Sequence, residues 1–311
     1  MLVTRGVRAA ALPPVALTIG NFDGVHKGHQ AILGRLVREA SARSLIACVL
    51  TFEPHPREFF APQSAPTRLT SLREKLELLA AQGIERVHAQ RFSRGFASMP
   101  AEAFVEQVLA RTLRARWILI GDDFRFGAKR AGDIAMLAAL AGRFGYEVES
   151  VHTVELGGSR VSSSSVREAL WAGDLARAEA LLGRPYSISG RVVHGRKLGR
   201  ELGFATANIQ LKHNRPPLMG IYAVRVHGAD GRVRDGAASL GVRPTIKAAG
   251  QAMLEVHLFD FDRVLYRRHL RVDFLHKIRD EEKFSDLETL RAQIARDCEA
   301  ARKFLGTYRN G

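Results

Sequence analysis

Cysteine is scarce: Cys48 and Cys298 are the only two in 311 residues, and they lie in opposite halves of the chain. Two such residues make no disulfide framework, and the expected compartment is a reducing one, the cytoplasm. No apolar run approaches the roughly 20 residues that a membrane-spanning helix needs, so no membrane partner is expected. Internal repeats and low-complexity segments are missing too, which excludes repeat architectures. Arg5 and Arg8 precede an alanine-rich stretch with the composition of a secretory leader. Pro13 and Pro14 interrupt it, and residues 15–19 are needed as a strand, so no leader is expected. Acidic residues are short relative to basic ones: 32 Asp and Glu stand against 47 Lys and Arg, a formal net charge of +15. That balance favours polyanions, nucleotide phosphates among them. The basic residues are scattered rather than gathered in a tail, so a solvated basic surface is expected and nucleic acid is not an expected partner. What remains is ordinary for a globular chain long enough for two domains, with 46% hydrophobic and 25% charged residues.

The most informative stretch is Gly20-Asn21-Phe22-Asp23-Gly24-Val25-His26-Lys27-Gly28-His29-Gln30. An apolar run over 15–19 precedes it and reads as a buried strand. A helix-period pattern (Ile32, Leu33, Leu36, Val37, Ala40) follows it. The stretch is therefore a strand-to-helix turn, with glycines where the backbone bends or approaches something closely. His26 and His29 are three apart at the helix start and can face one ligand. A helix N-terminus favours phosphate, and two imidazoles there can donate hydrogen bonds to oxygens that gain charge as phosphorus is attacked.

The first half alternates further. Strands are expected at 15–19, 45–52, 86–92, 117–120 and 146–153, with helices near 28–43, 71–81, 100–114 and 133–144. Such alternation predicts a parallel sheet with helices on both faces, whose ligands bind beyond the carboxyl ends of the strands. Three more segments sit at such ends or at a helix start. Thr51-Phe52-Glu53-Pro54-His55-Pro56 predicts a rigid, extended exit in which Phe52 can stack on a flat ring; a plain loop is the alternative. Gly121-Asp122-Asp123-Phe124-Arg125-Phe126-Gly127 combines carboxylates, an arginine and aromatics suited to a nucleotide, or forms a solvated turn. Ser162-Ser163-Ser164-Ser165-Val166-Arg167 puts hydroxyls at a helix start and an arginine one turn in, a second anion site or an ordinary cap.

Two short helices near 164–172 and 174–182 lead to Gly183-Arg184-Pro185, where the texture changes. Short β-like segments follow at 186–193, 221–227, 232–240, 252–261 and 270–278, the pattern of an antiparallel barrel or sandwich. A last helix is expected from Ser285, capped with Glu288, with Leu287, Leu290, Ile294, Cys298, Ala301 and Leu305 as its apolar stripe. The fold class is thus α/β followed by β, with domains at 1–184 and 185–311. The second carries the loop Gly190-Arg191-Val192-Val193-His194-Gly195-Arg196-Lys197-Leu198-Gly199-Arg200-Glu201-Leu202-Gly203-Phe204, then Ala205-Thr206-Ala207-Asn208. Backbone amides and cations there can cradle phosphates, and Thr206 and Asn208 offer hard oxygens for Mg²⁺. Alternation sets Glu255 opposite in facing to Leu254, Val256 and Leu258; it is either a solvated surface residue or, facing a phosphate loop, a general base.

Taken together and in this order, these motifs resemble those of the bacterial bifunctional riboflavin kinase/FAD synthetase family, from about residue 15 to residue 305. The resemblance implies a Rossmann-like nucleotidyltransferase domain followed by a small kinase barrel with a C-terminal helix. It implies transfer of the ATP γ-phosphoryl to riboflavin, giving FMN, with Glu255 as base, Thr206 and Asn208 at Mg²⁺, and Gly195, Lys197, Gly199 and Gly203 at phosphate. It implies next the adenylylation of FMN by ATP to FAD and pyrophosphate, with His26 and His29 stabilising the charge in flight. Gly20, Phe22, Asp23, Gly28, Asp123, Ser163, Ser164 and Arg167 would bind the nucleotide, and Phe52, Pro54, Phe124 and Arg279 the flavin. ATP is a co-substrate in both steps. The chain departs from the family pattern at Ala205, where proline is usual, at Ser164, where threonine is usual, and at Arg267, where glycine is usual. Two other readings are weaker. Adenylyl or cytidylyl transfer alone would leave the glycine-rich loop and Glu255 without a purpose, and a nucleic-acid-binding protein with decayed sites would have lost the residues just named. Oligomeric state is left open by the sequence.

Overall fold

The computed structural model describes residues 1–6, 12–151, 155–156, 159–195, 198–211, 215–245 and 248–308. The expected strand over 146–153 therefore runs past the described residues at its last two positions, and Lys197 lies outside them. Two compact units emerge, Met1–Pro66 with Leu72–Ser162, and Thr67–Ser71 with Ser163–Gly311.

The first unit is built on six parallel strands: β1 Leu2–Thr4, β2 Val15–Ile19, β3 Ile46–Glu53, β4 Arg86–Arg91, β5 Ala115–Gly121 and β6 Glu147–Val151. Their order is β1-β4-β3-β2-β5-β6. All five residues of β2 are buried, because a central parallel strand is covered on both faces and needs an unbroken apolar run. Neighbouring residues supply opposite cores. Leu17, Leu50 and Ile118 meet Val108, Leu109 and Leu137 on one side. Ala16, Val49 and Trp117 meet Leu33, Leu36 and Leu79 on the other. The chain fills the sheet outward from β2 in one direction and then returns to the other side at β5. The reversal leaves a crevice at the carboxyl ends of β2 and β5, the place where such sheets bind ligands.

Three local features differ from expectation. Strand β1 was not foreseen, since three residues carry no periodicity; it pairs with β4 through Leu2↔Arg86. The helix expected at 100–114 is α-helical only over Ala101–Ala103 and π-helical over Phe104–Thr112, ending with the Leu113 amide on the Val108 carbonyl at 2.9 Å. The exit after β3 is not extended through Pro56. Proline suits a first helical position, and Pro56 opens the short helix Pro56–Phe60, capped reciprocally by His55 and Glu58.

A short hairpin, β7 Glu155–Leu156 with β8 Ser159–Arg160, closes the first unit. The second opens on the helices Ser163–Trp171 and Leu175–Leu182, then forms a closed antiparallel barrel. Its strands are β9 Tyr186–Val193, β10 Ala207–Gln210, β11 Gly220–His227, β12 Arg234–Thr245, β13 Ala248–Leu258 and β14 His269–Arg279, ordered β10-β13-β12-β11-β14-β9 and closed by β9 on β10. Leu254, Val256 and Leu258 point inward with Ile209, Leu240 and Phe274, all buried. The helix Leu287–Tyr308 packs outside, through Cys298, Ala301 and Leu305 on Ala223, Ala237 and Phe259. Its stripe is shorter than expected, because Leu287 is 57% exposed. Its cap also differs. Asp286, not Ser285, accepts the Thr289 amide at 2.7 Å, as a carboxylate just before the first helical residue can.

Candidate functional site

The glycine-rich turn after β2 is tightly determined. Phe22 and Val25 hold left-handed φ values of 48° and 41°. The Gly20 amide bonds the Leu50 carbonyl at 3.0 Å, and the Thr51 hydroxyl donates to the Asn21 carbonyl at 3.3 Å. A Cβ on Gly28 would press within 3.2 Å of the Val161 carbonyl and the His26 ring, so a side chain there would push on both. His26 is the N-cap of the helix Lys27–Ala42; its Nδ1 accepts the His29 amide at 3.3 Å. An accepting Nδ1 places the proton of the neutral ring on Nε2, which is then a donor. The rings of His26 and His29 stack, with centroids 3.7 Å apart, and Phe22 lies tilted against His29 at 4.9 Å. Burial first, and then the nearby charges of His26 and Lys75, hold the His29 pKa well below 6.5. His29 is therefore neutral at physiological pH, and its Nδ1 is buried without a partner, as is Asn21 Oδ1. Asp23 is buried in the same turn.

Lys75 was missed by sequence reasoning. It is 4% exposed on the helix Leu72–Ala81. Its position on the same stripe as Leu72 and Leu79 was the available signal, since a lysine on a buried face is unusual. The segment after β5 forms a turn with the Phe124 amide on the Gly121 carbonyl at 3.1 Å, and Asp123 pairs with Arg160 at 2.9 Å. Phe52 belongs to an aromatic ladder also missed by sequence reading. Its ring meets Phe92 and Phe96, each at 5.9 Å, and Phe92 continues to Phe59 and Phe60. Phe96 leads through Phe104 and Phe126 to Phe124. Pro54 follows directly on β3. The ladder joins β3, two short helices, the π-helix and the segments after β4 and β5, which periodicity within one segment does not reveal. Phe60, 67% exposed, is its open end. Ser163, Ser164 and Arg167 lie on the first turns of the helix Ser163–Trp171, in the second unit, where Arg167 Nε donates to the Thr67 carbonyl at 2.5 Å.

The barrel carries its own constellation. Glu255 on β13 faces outward, in register with Asn208 on β10 and with Ser239 on β12. The loop after β9 lies directly on Asn208, since a Cβ on Gly195 would overlap its amide. Asn208 is buried, its Nδ2 donates at 3.4 Å to the Thr206 carbonyl, and its Oδ1 has no partner. A buried amide oxygen without a donor is a fit place for a hard cation. The Gly199 carbonyl accepts the Phe204 amide at 2.6 Å, and Gly203 takes the left-handed φ of 90° that ends this turn. The Ala205 carbonyl accepts a hydrogen bond from His257 Nδ1 at 2.9 Å. Arg279 is engaged inside the unit. Its Nε and Nη2 donate to buried Asp297 at 2.9 and 2.7 Å, and its Nη1 to the Asp280 carbonyl at 2.9 Å.

Comparison with known proteins follows the same division. A FAD synthetase family model matches residues 9–165, and a riboflavin kinase family model matches residues 182–305. The bifunctional riboflavin kinase/FMN adenylyltransferase of Escherichia coli K12 is 47% identical over 309 residues, 98% of each chain. The chain belongs to the bifunctional riboflavin kinase/FMN adenylyltransferase family. The relative of the same description from Haemophilus influenzae is 46% identical, covering 99% of this chain and all of its own. Among solved structures, a Streptococcus pneumoniae protein described as a macrolide-efflux protein is 29% identical with a TM-score of 0.80, over 97% of this chain and 99% of its own. That description belongs to the streptococcal protein. Among the described residues of this family member, no helix is long and apolar enough to cross a membrane. Arg267, where the sequence resemblance leads to the expectation of glycine, holds a φ of 68°. The departure therefore falls on a position where the backbone itself is left-handed.

Proposed function

We propose that this chain makes both flavin coenzymes: it phosphorylates riboflavin with ATP to give FMN, and adenylylates FMN with a second ATP to give FAD and pyrophosphate. The observation that carries this is one chain holding a stacked histidine pair at a helix start in its parallel-sheet unit and a carboxylate in register with a buried amide whose oxygen has no partner in its barrel unit.

In the kinase reaction Glu255 accepts the proton of the riboflavin 5′-hydroxyl as the hydroxyl oxygen attacks the γ-phosphorus, whose bond to the bridging oxygen breaks and releases ADP. Thr206 and Asn208 would hold Mg²⁺, which would supply positive charge to offset that of the phosphate oxygens. Gly195, Gly199 and Gly203 let the loop backbone approach the phosphates, and Lys197, outside the described residues, is the expected cation of this loop. Arg279 is the proposed flavin contact of this unit. In the adenylylation an FMN phosphate oxygen attacks the α-phosphorus of ATP and pyrophosphate leaves. His26 donates through Nε2 and His29 through its one N–H to the oxygens on which charge collects. Gly20, Phe22, Asp23 and Gly28 shape the turn that receives the nucleotide, with Asp123, Ser163, Ser164 and Arg167 as further contacts. Phe52, Pro54 and Phe124 hold the flat ring system, with the aromatic ladder behind them. Neither step needs a covalent enzyme intermediate; positioning and charge neutralisation are sufficient. The functional division runs at 184/185, adenylyltransferase before it and kinase after it, and the protein works in the cytoplasm.

Incubation with riboflavin, ATP and Mg²⁺ followed by chromatography of the flavins is the test. FMN should appear first and FAD after it. Riboflavin left unchanged while added FMN is converted to FAD would remove the kinase half of the proposal.

A further inference from the structure

We infer that Glu281 is a positioning residue of the kinase site, an inference that rests on Glu255 being the base for the riboflavin hydroxyl. Ser239 on β12 stands directly across from Glu255 on β13, as Asn208 on β10 does from the other side. Cross-strand partners share a face of the sheet, with Cβ atoms about 4.5–5.5 Å apart. Gly241, two residues on from Ser239, shares that face as well. Here Glu281, just beyond the end of β14, lays its carboxyl down. A Cβ on Gly241 would overlap the Glu281 carboxylate, so the missing side chain at 241 is what makes room for it. The Ser239 hydroxyl donates a hydrogen bond to that carboxylate. Glu281 is exposed as a residue, yet the packing of its carboxyl end strips enough water to raise its pKa, against the opposing pull of the Ser239 bond and of Arg279.

The segment that carries Glu281 is anchored separately. Arg279 is fixed by buried Asp297 of the terminal helix, and Gln293 Nε2 adds a bond to the same carboxylate at 2.8 Å. From this anchor Glu281 reaches back over β12. A serine hydroxyl has one proton and two acceptor lone pairs. With the proton given to Glu281, Ser239 offers only acceptors towards the face where Glu255 meets the substrate. Glu281 thus sets the direction of the Ser239 hydroxyl. It thereby favours a substrate that donates there, as the hydroxyl-bearing ribityl chain of riboflavin does.

Two variants of the full chain disturb this contact in different ways. Glu281→Ala deletes the carboxylate; Gly241→Ala pushes it off Ser239 with no change of charge. Each is expected to raise KM for riboflavin about five- to tenfold, the weight of one hydrogen bond, and to leave KM for ATP unchanged. Ser239→Ala should do the same, and the Glu281→Ala/Ser239→Ala double variant should be no worse than either single change, because all act through one hydroxyl. Glu281→Gln, whose amide oxygen still accepts, should keep a near wild-type KM. Thermal unfolding of the same preparations reports that the barrel of each variant is folded, and Gly241→Ala carries the test if Glu281→Ala fails to fold. Unchanged riboflavin KM in Gly241→Ala, or additive effects in the double variant, overturns the inference. A wild-type chain that leaves riboflavin unphosphorylated overturns instead the kinase assignment on which it rests.

Discussion

At the scale of single residues, three side chains make separable predictions. Glu255→Gln keeps the shape of the proposed kinase base but cannot take a proton. Riboflavin phosphorylation should fall about 10²–10⁴-fold, with conversion of FMN to FAD unaffected, as steady-state assays of the two reactions would show. His29→Ala should do the reverse. Loss of a donor to developing charge costs roughly 10²–10³-fold in FAD formation and leaves the kinase intact. If both activities fell together with the melting temperature, the stacked ring would be serving the fold alone. Arg267 is unlike these because it concerns the backbone. A non-glycine residue in the left-handed region costs about 1–2 kcal/mol, while glycine carries an entropic penalty of about 0.5–1 kcal/mol. With a φ of 68°, Arg267→Gly should therefore be tolerated and raise stability by up to about 1 kcal/mol in denaturant titration, whereas Arg267→Val should lower it.

At the scale of elements, the terminal helix shows how a sequence stripe and a buried face part company. Six apolar positions follow helical spacing, yet only its second half is buried on the barrel: Cys298, Ala301 and Leu305 are covered while Leu287 is 57% exposed. Leu305→Ala should cost about 2–5 kcal/mol by opening a cavity, and Leu287→Ala almost nothing. Equal losses, measured by thermal or chemical unfolding, would mean that the first turn is also docked. The strand β2 and the helix after it illustrate the opposite case. A five-residue run with four apolar residues and a 3.6-residue period specified both, because a central parallel strand and an amphipathic helix each have one way to bury their side chains.

At the scale of the whole molecule, the change of texture near 184/185 and the compact units do not coincide. The helices Ser163–Trp171 and Leu175–Leu182 group with the barrel, burying Val166, Leu170, Ala178 and Leu182. Gly173 between them abuts Lys277 of β14 at 2.7 Å from where a Cβ would stand. A fragment of residues 163–311 should therefore melt at least about 5 °C above one of residues 185–311, since each kcal/mol gained shifts a small domain by several degrees. Both fragments should make FMN from riboflavin, and neither should make FAD. Equal melting temperatures would remove the two helices from the stability of the barrel.

The sequence by itself determined the order of the two folds, the turn with His26 and His29, the glycine-rich loop before Thr206, and the outward facing of Glu255. Each of these depends on residues close together in the chain: a period of 3.6 or 2, glycines at a bend, a hydroxyl beside an amide. Tertiary structure alone decided what distant segments do to one another. It put Asn208 and Ser239 on either side of Glu255 through strand register, and built one aromatic ladder from Phe52, Phe92, Phe104 and Phe124. It buried Lys75, lowered the pKa of His29, and gave the Glu281 carboxyl its place over Gly241. Burial, register and electrostatic environment arise from contacts between residues far apart in sequence, and no local period records them.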